Sequence, residues 1–203
     1  MSQDTLFNQL KHPNPHLRDR AMWDLADQHD ETTIARLIDN LAAEDVVYRR
    51  ASVKTLGAIG VKTVMPLVAV ALHSDNVTAR ASAVKALTQV VVMHPDTPFP
   101  PQGMEALKTA LHDPNPVVYV ATVMTLGEMG PPAFEILADA LKATDNVALA
   151  VAIVNAMPSM GDDGRAKAVL ETCIQDEAVD TYVKEMATSA LSRLELLARS
   201  QPV

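Results

Sequence analysis

One cysteine, six histidines and scattered carboxylates are the residues from which catalysis or metal binding would be built. Their placement argues against both. Cys173 lies in LETCIQD with no histidine near it in sequence, and Lys167 and Lys184 are the only basic residues available to activate it. A cysteine nucleophile needs a neighbour that lowers its pKa. An iron–sulfur cluster takes about four thiolate-type ligands, so a single cysteine serves one only alongside a partner or a second copy. The expected role of Cys173 is a buried or half-buried structural thiol. His12 and His16 have the four-residue spacing of a helical metal pair, but Pro13 and Pro15 interrupt the segment between them. His12, His73 and His112 fall at turn positions of similar segments. There is no CxxC, no HExxH and no glycine-rich phosphate loop. GDDG at 161–164 lacks the ligand spacing of a calcium loop and reads as a turn. The expectation is no catalytic residue, no metal site and no resident cofactor.

Composition narrows the class further. Of 203 residues, 48% are hydrophobic and only 3% aromatic, so Ala, Val, Leu and Met must fill the core. That suits closely packed helices. The net charge is −8, and residues 101–203 carry 7 basic against 14 acidic residues. No basic stripe is present, which excludes broad nucleic-acid binding. A lone cysteine excludes an internal disulfide and fits a reducing compartment. The start, MSQDTLFNQL, lacks the basic and apolar regions of a signal peptide. No apolar run reaches the ~18–20 residues needed to span a bilayer. A cytoplasmic protein is expected.

The elements follow from a repeat. Asn14, Asp45, Asn76, Asn115, Asn146 and Asp180 recur at steps of 31, 31, 39, 31 and 34 residues. Eleven residues after each anchor stands Leu25, Leu56, Leu87, Leu126, Met157 or Leu191. A fixed period of this length marks a solenoid of small repeated units. Asn and Asp are strong N-caps because the side-chain oxygen accepts a backbone N–H that the first helical turn leaves unpaired. Pro15 and Pro116 follow two of the anchors, at the first helical position where a missing N–H costs nothing. Each unit therefore predicts a second helix starting near 14, 45, 76, 115, 146 or 180. A shorter apolar first helix precedes it, over roughly 3–11, 32–43, 62–73, 103–112, 132–142 and 163–175. Ile34, Leu37, Ile38 and Leu41 show the one-sided spacing of such a helix. Gly60, Gly130 and Gly161 are placed to close second helices. The 39-residue step holds an insertion at 95–101, inside PDTPFPPQG, whose four prolines forbid a helix through it. That loop either absorbs extra length or offers Phe99 and His94 to a partner. The expected fold is all-α: one domain over 1–203, a right-handed superhelix of about six two-helix repeats.

The segments LHDPNPVVYVATVMTLGEMG and LAAEDVVYRRASVKTLGAIG resemble HEAT repeats. Their period is shorter than the ~40–47 residues usual for that class and resembles the short HEAT-like repeats of the phycobilin lyase family of cyanobacteria and red algae. A related cyanobacterial scaffold with the same repeats partners an A-type iron–sulfur carrier. The resemblance implies a basic residue four positions after each anchor, which Arg18, Arg49, Arg80 and Lys184 supply and Tyr119 and Ala150 do not. The arginines are expected to bond the acceptors of adjacent turns. The break at the fourth and fifth units marks either a site or tighter packing.

In a HEAT-like stack the second helices line the concave surface. Positions nine after each anchor bring Trp23, Lys54, Lys85, Met124 and Asn155 to it, and positions five after add Arg50 and Val120. Tyr48 and Tyr119 are counted with them. Tryptophan and arginine are over-represented among residues that dominate interface energy, and methionine adapts to irregular partners. The expected function is a non-catalytic scaffold holding a protein partner. By resemblance that partner is a phycobiliprotein subunit, a second HEAT-like chain or an iron–sulfur carrier. The alternative is one subunit of a two-chain phycobilin lyase. There Arg50, Lys54 and Lys85 would pair with bilin propionates, while Trp23, Tyr48 or Met124 packed on the rings.

Overall fold

The computed structural model describes residues 1–161 and 164–200. Asp162 and Asp163, the centre of the GDDG segment, lie outside the described residues. Among those described there are twelve α-helices and no strand. The chain groups into two compact units, Met1–Ala121 and Thr122–Val203.

The first unit contains α1 (Gln3–Gln9), α2 (Pro15–Asp27), α3 (Glu31–Asp39), α4 (Val46–Ile59), α5 (Val64–His73), α6 (Val77–Met93), α7 (Pro101–Ala110) and the start of α8 (Pro116–Met129). The second contains the rest of α8, then α9 (Phe134–Ala143), α10 (Val147–Ala156), α11 (Arg165–Gln175) and α12 (Thr181–Ser200). Every second helix begins on the residue after its anchor, because each anchor side chain caps it. Asn14 accepts from His16 N at 3.0 Å, Asp45 from Val47 N at 2.8 Å and Asn76 from Ala79 N at 3.1 Å. Asn115 accepts from Val117 N at 3.0 Å, Asn146 from Ala148 N at 3.0 Å and Asp180 from Tyr182 N at 2.8 Å. Each cap stabilises its helix by about 1 kcal/mol. Gly60 and Gly130, at φ 86° and 67°, end α4 and follow α8 in a conformation that a Cβ would strain. In both places a single 3-10 turn, Val61–Thr63 or Pro131–Ala133, leads into the next helix.

The residues eleven after the anchors form a buried spine within each unit. Leu25, Leu56 and Leu87 are buried in the first, and Leu126 and Met157 in the second. Leu191, on the last helix, is half-buried. In the first unit α2 packs on α4 and α4 on α6, while α5 packs on α6 and α7. In the second, α10 packs on α9 and α12, and α11 on α12. The α4–α6 contact is close enough that a Cβ built on Gly57 would lie 2.2 Å from the Cβ of Gln89. Gly57→Ala should therefore destabilise by about 1–3 kcal/mol through overpacking, despite the better helix propensity of alanine. Urea denaturation checks this, and an unchanged or raised midpoint would contradict the tight α4–α6 seam.

Arginines clamp the turns of the first three repeats. Arg18 Nη1 donates to His12 O at 2.6 Å and Pro13 O at 2.8 Å. Arg49 Nη1 donates to Ala43 O, and Arg80 Nη1 to Ser74 O at 2.9 Å. Each guanidinium thus ties the start of a second helix to carbonyls just before its cap. Arg80 also forms a two-pronged pair with Asp113, Nε–Oδ2 2.7 Å and Nη2–Oδ1 3.2 Å. That pair joins the third repeat to the turn of the fourth. The proline-rich loop is held from both ends. His94 Nε2–H lies 3.0 Å from Gly57 O and 3.1 Å from Ala58 O, and Phe99 packs against Gly103. Both side chains are half-buried. They anchor the loop to α4 and α7, in keeping with a loop that absorbs extra length.

Candidate functional site

The outward positions of α2, α4 and α6 collect the strongest candidate surface. Trp23, Lys54 and Lys85 each stand nine residues past a cap, on three helices that pack in that order. All three are exposed, Trp23 by 52%. Arg50 is exposed one turn before Lys54 on α4. Among the described residues Arg50, Lys54 and Lys85 have no hydrogen-bond or ion-pair partner, in contrast to the three arginines of the turn clamps. Free cations beside an exposed indole suit an anionic surface that also offers something apolar to bury.

Val120 and Met124 are likewise exposed, by 37% and 63%, one turn apart on α8. Val120 belongs to the first unit and Met124 to the second. Asn155 is half-buried, and its Oδ1 accepts from Arg193 Nη2 at 2.7 Å, which ties α10 to α12. Two candidates are misplaced by the sequence reading. Tyr48 is 8% exposed and Tyr119 6%, so neither ring lies on the surface. Tyr48 sits three residues past its cap, on the core side of α4, with Lys11 Nζ 4.5 Å from its ring centroid. Tyr119 occupies the position that an arginine takes in the first three repeats, and it fills that position with an apolar ring. Apolar residues in the first turns were missed: Val47 is 41% exposed and Val117 53%. Reading the aligned repeats two residues after each anchor would have found them.

The side chains considered for catalysis are otherwise engaged. Cys173 is buried on α11, and burial, reinforced by Asp176, pushes its thiol up despite the opposing charge of Lys184. Burial and the Asp176 charge thus disfavour its thiolate. His12 Nδ1 accepts from Asn14 N at 3.0 Å, and His29 Nδ1–H lies 2.6 Å from Ala26 O. Among the described residues no group of three or more His, Cys, Asp or Glu could hold a metal ion. No single helix among them is long and apolar enough to cross a membrane.

The model of the HEAT repeats family matches residues 3–90 and 104–192, leaving out the stretch that holds the proline-rich loop. The chain is 56% identical to "Uncharacterized phycocyanin operon protein Z" of Pseudanabaena tenuis, over 98% of both chains. It is 31% identical to "Bilin biosynthesis protein CpeZ" of a Synechococcus strain, over 85% of this chain and 95% of that one. Among solved structures it is similar to the complex of CpcE and CpcF of phycocyanin lyase from a Nostoc species. That likeness has a TM-score of 0.51 at 20% identity, over 76% of this chain and 96% of the other, and it is a likeness of fold.

Proposed function

This chain belongs to the HEAT-like repeat proteins of the phycobilin lyase family, and from that premise we propose that it acts in phycobiliprotein maturation as a partner-holding subunit. The near full-length identity of 56% to a phycocyanin operon protein supports this reading most directly. The surface around Trp23, Arg50, Lys54 and Lys85 supplies the means. Its cations have no partner among the described residues and its indole is exposed, so an acidic phycobiliprotein subunit or a second HEAT-like chain would gain ion pairs and buried area together. Both relatives' names belong to the pigment system, so the proposal is framed for that system and not for an iron–sulfur carrier. The cytoplasm is the proposed compartment.

A second reading has its own support in the bilin biosynthesis protein to which the chain is 31% identical. Here the chain is one subunit of a two-chain phycobilin lyase, and the same basic face receives the bilin propionates while Trp23 packs on a ring. Spectroscopy separates the two. Free phycobilin is added to the purified chain, alone and with a second HEAT-like chain, and the visible absorbance is followed. A pigment-handling subunit shifts and sharpens the band. A purely partner-holding subunit leaves the spectrum of the free pigment, yet still retains a phycobiliprotein apo-subunit on an affinity column. A chain that does neither contradicts both readings.

A further inference from the structure

We propose that a groove in the second unit is a receptor slot for an arginine or lysine side chain that a partner protein presents between apolar residues. The observation behind it is independent of the basic face in the first unit.

In the first unit Arg18, Arg49 and Arg80, each four residues past its cap, reach back to the carbonyls of the preceding turn. Arg80 also crosses to Asp113, which stands two residues before the next cap. The second unit lacks both halves of that bridge. Ala150 takes the arginine position of α10, and Ala178 takes the position equivalent to Asp113 before α12. Both alanines line a groove of about 570 Å³ between the α9–α10 turn and the α11–α12 turn. The space that a guanidinium fills between neighbouring turns of the first unit is therefore open in the second.

The chemistry of the walls says what belongs there. Asp145, Asp176 and Asp180 line the groove against Lys142, and Lys184 on α12 is near enough to act on Cys173, another lining residue, so the carboxylates outnumber the lysines three to two. Asp176 and Asp180 each use one oxygen on a backbone N–H, from Ala178 at 2.9 Å and Tyr182 at 2.8 Å, which fixes both carboxylates in place. Val147 and Val183 give the groove an apolar lining. The residues of this unit, 122–203, include six basic against twelve acidic side chains. An anion such as a bilin propionate is repelled. A cation on an aliphatic stem is matched at both ends: the stem lies on the valines and the head pairs with carboxylates and turn carbonyls. A pocket of ~300–1,000 Å³ holds a ligand much larger than one side chain, so the groove also takes the apolar neighbours of the arriving cation.

The test uses the full chain, amide-resolved NMR and two synthetic peptides, acetyl-Ala-Leu-Arg-Leu-Ala-amide and its Gln counterpart. The Arg peptide should shift Val147, Ala150, Thr172 and Val183, with the Gln peptide at least tenfold weaker. Ala150→Arg gives the chain its own guanidinium at this position, so it should abolish the response and raise the unfolding midpoint. If that variant folds poorly, Asp145→Asn with Asp176→Asn keeps the Asx turn at 176 and should weaken the Arg peptide at least tenfold. No binding by the Arg peptide, equal binding by the two peptides, shifts confined elsewhere, or full affinity in the folded variants would overturn the proposal.

Discussion

Arg80→Ala is expected to lower the unfolding free energy by roughly 3 kcal/mol, the usual cost of breaking a buried ion pair by removing one member. The pair is well shielded: the side chains are 13% and 8% exposed. Removing the guanidinium leaves the Asp113 carboxylate buried with one remaining donor, Asn115 N at 2.8 Å. It also releases Ser74 O, so two turns lose their tie at once. Arg18→Ala should cost less, since Arg18 has carbonyl acceptors and no carboxylate partner. The pH dependence follows from Asp113. Burial would raise its carboxyl, but the Arg80 hydrogen bonds and the Asn115 N–H outweigh burial and hold it below its ordinary value of 3.8. A carboxyl lowered by folding stabilises the fold above its unfolded pKa, and that stability is lost as pH falls through the folded value. The gap between wild type and Arg80→Ala should be full at pH 7 and shrink below about pH 4. Urea denaturation at pH 7 and at pH 3 checks both statements. A gap under ~0.5 kcal/mol at pH 7, the scatter of ordinary surface substitutions, would contradict them.

Arg50→Glu with Lys54→Glu should weaken partner binding at least ~100-fold, about 2.7 kcal/mol, while leaving the fold intact. Both side chains are exposed and neither has a partner among the described residues, so folding should change by no more than ~0.5 kcal/mol. Across an interface the effect is larger, because reversal turns two attractions into two repulsions beside the exposed Trp23. The loss should deepen at low salt, where screening is weakest. Trp23→Ala, which removes area and no charge, should weaken binding without changing its salt dependence. Equal binding by the charge-reversed chain, at intact helicity, would remove the basic face from the account.

Much of the fold was legible because its signals are local. An Asx residue, a leucine eleven places on and a closing glycine each act within one helix, and all six caps form the bonds that the residue type predicts. The turn-clamping arginines were legible for a related reason, since their acceptors lie five or six residues away. The candidate face was only partly legible. Counting nine residues from the cap picked out Trp23, Lys54 and Lys85, all of which are exposed, because outward positions repeat when the helices do. Tyr48 and Tyr119 were misplaced because residue type suggested a surface aromatic, whereas Tyr48 stands on the core side of α4 and Tyr119 fills the sheltered position that a turn-clamping arginine takes in the first three repeats. The contacts of His94 were not legible because its acceptors, Gly57 O and Ala58 O, belong to the helix pair before it in the chain and leave no trace in local spacing. The groove lined by Ala150 needed the structure as well, since the sequence showed a missing arginine and left open whether packing closes the space behind it.

The claim that this chain serves phycobiliprotein maturation through the basic face of its first unit is tested most directly by paired affinity capture. Tagged wild-type chain and its Arg50→Glu/Lys54→Glu variant are passed through the same lysate of a phycobilisome-containing cyanobacterium, and the retained proteins are quantified by mass spectrometry. Wild type should enrich phycobiliprotein subunits or a second HEAT-like chain, and the variant, still helical, should not. Enrichment of neither class by wild type, or equal enrichment by both proteins, would contradict it.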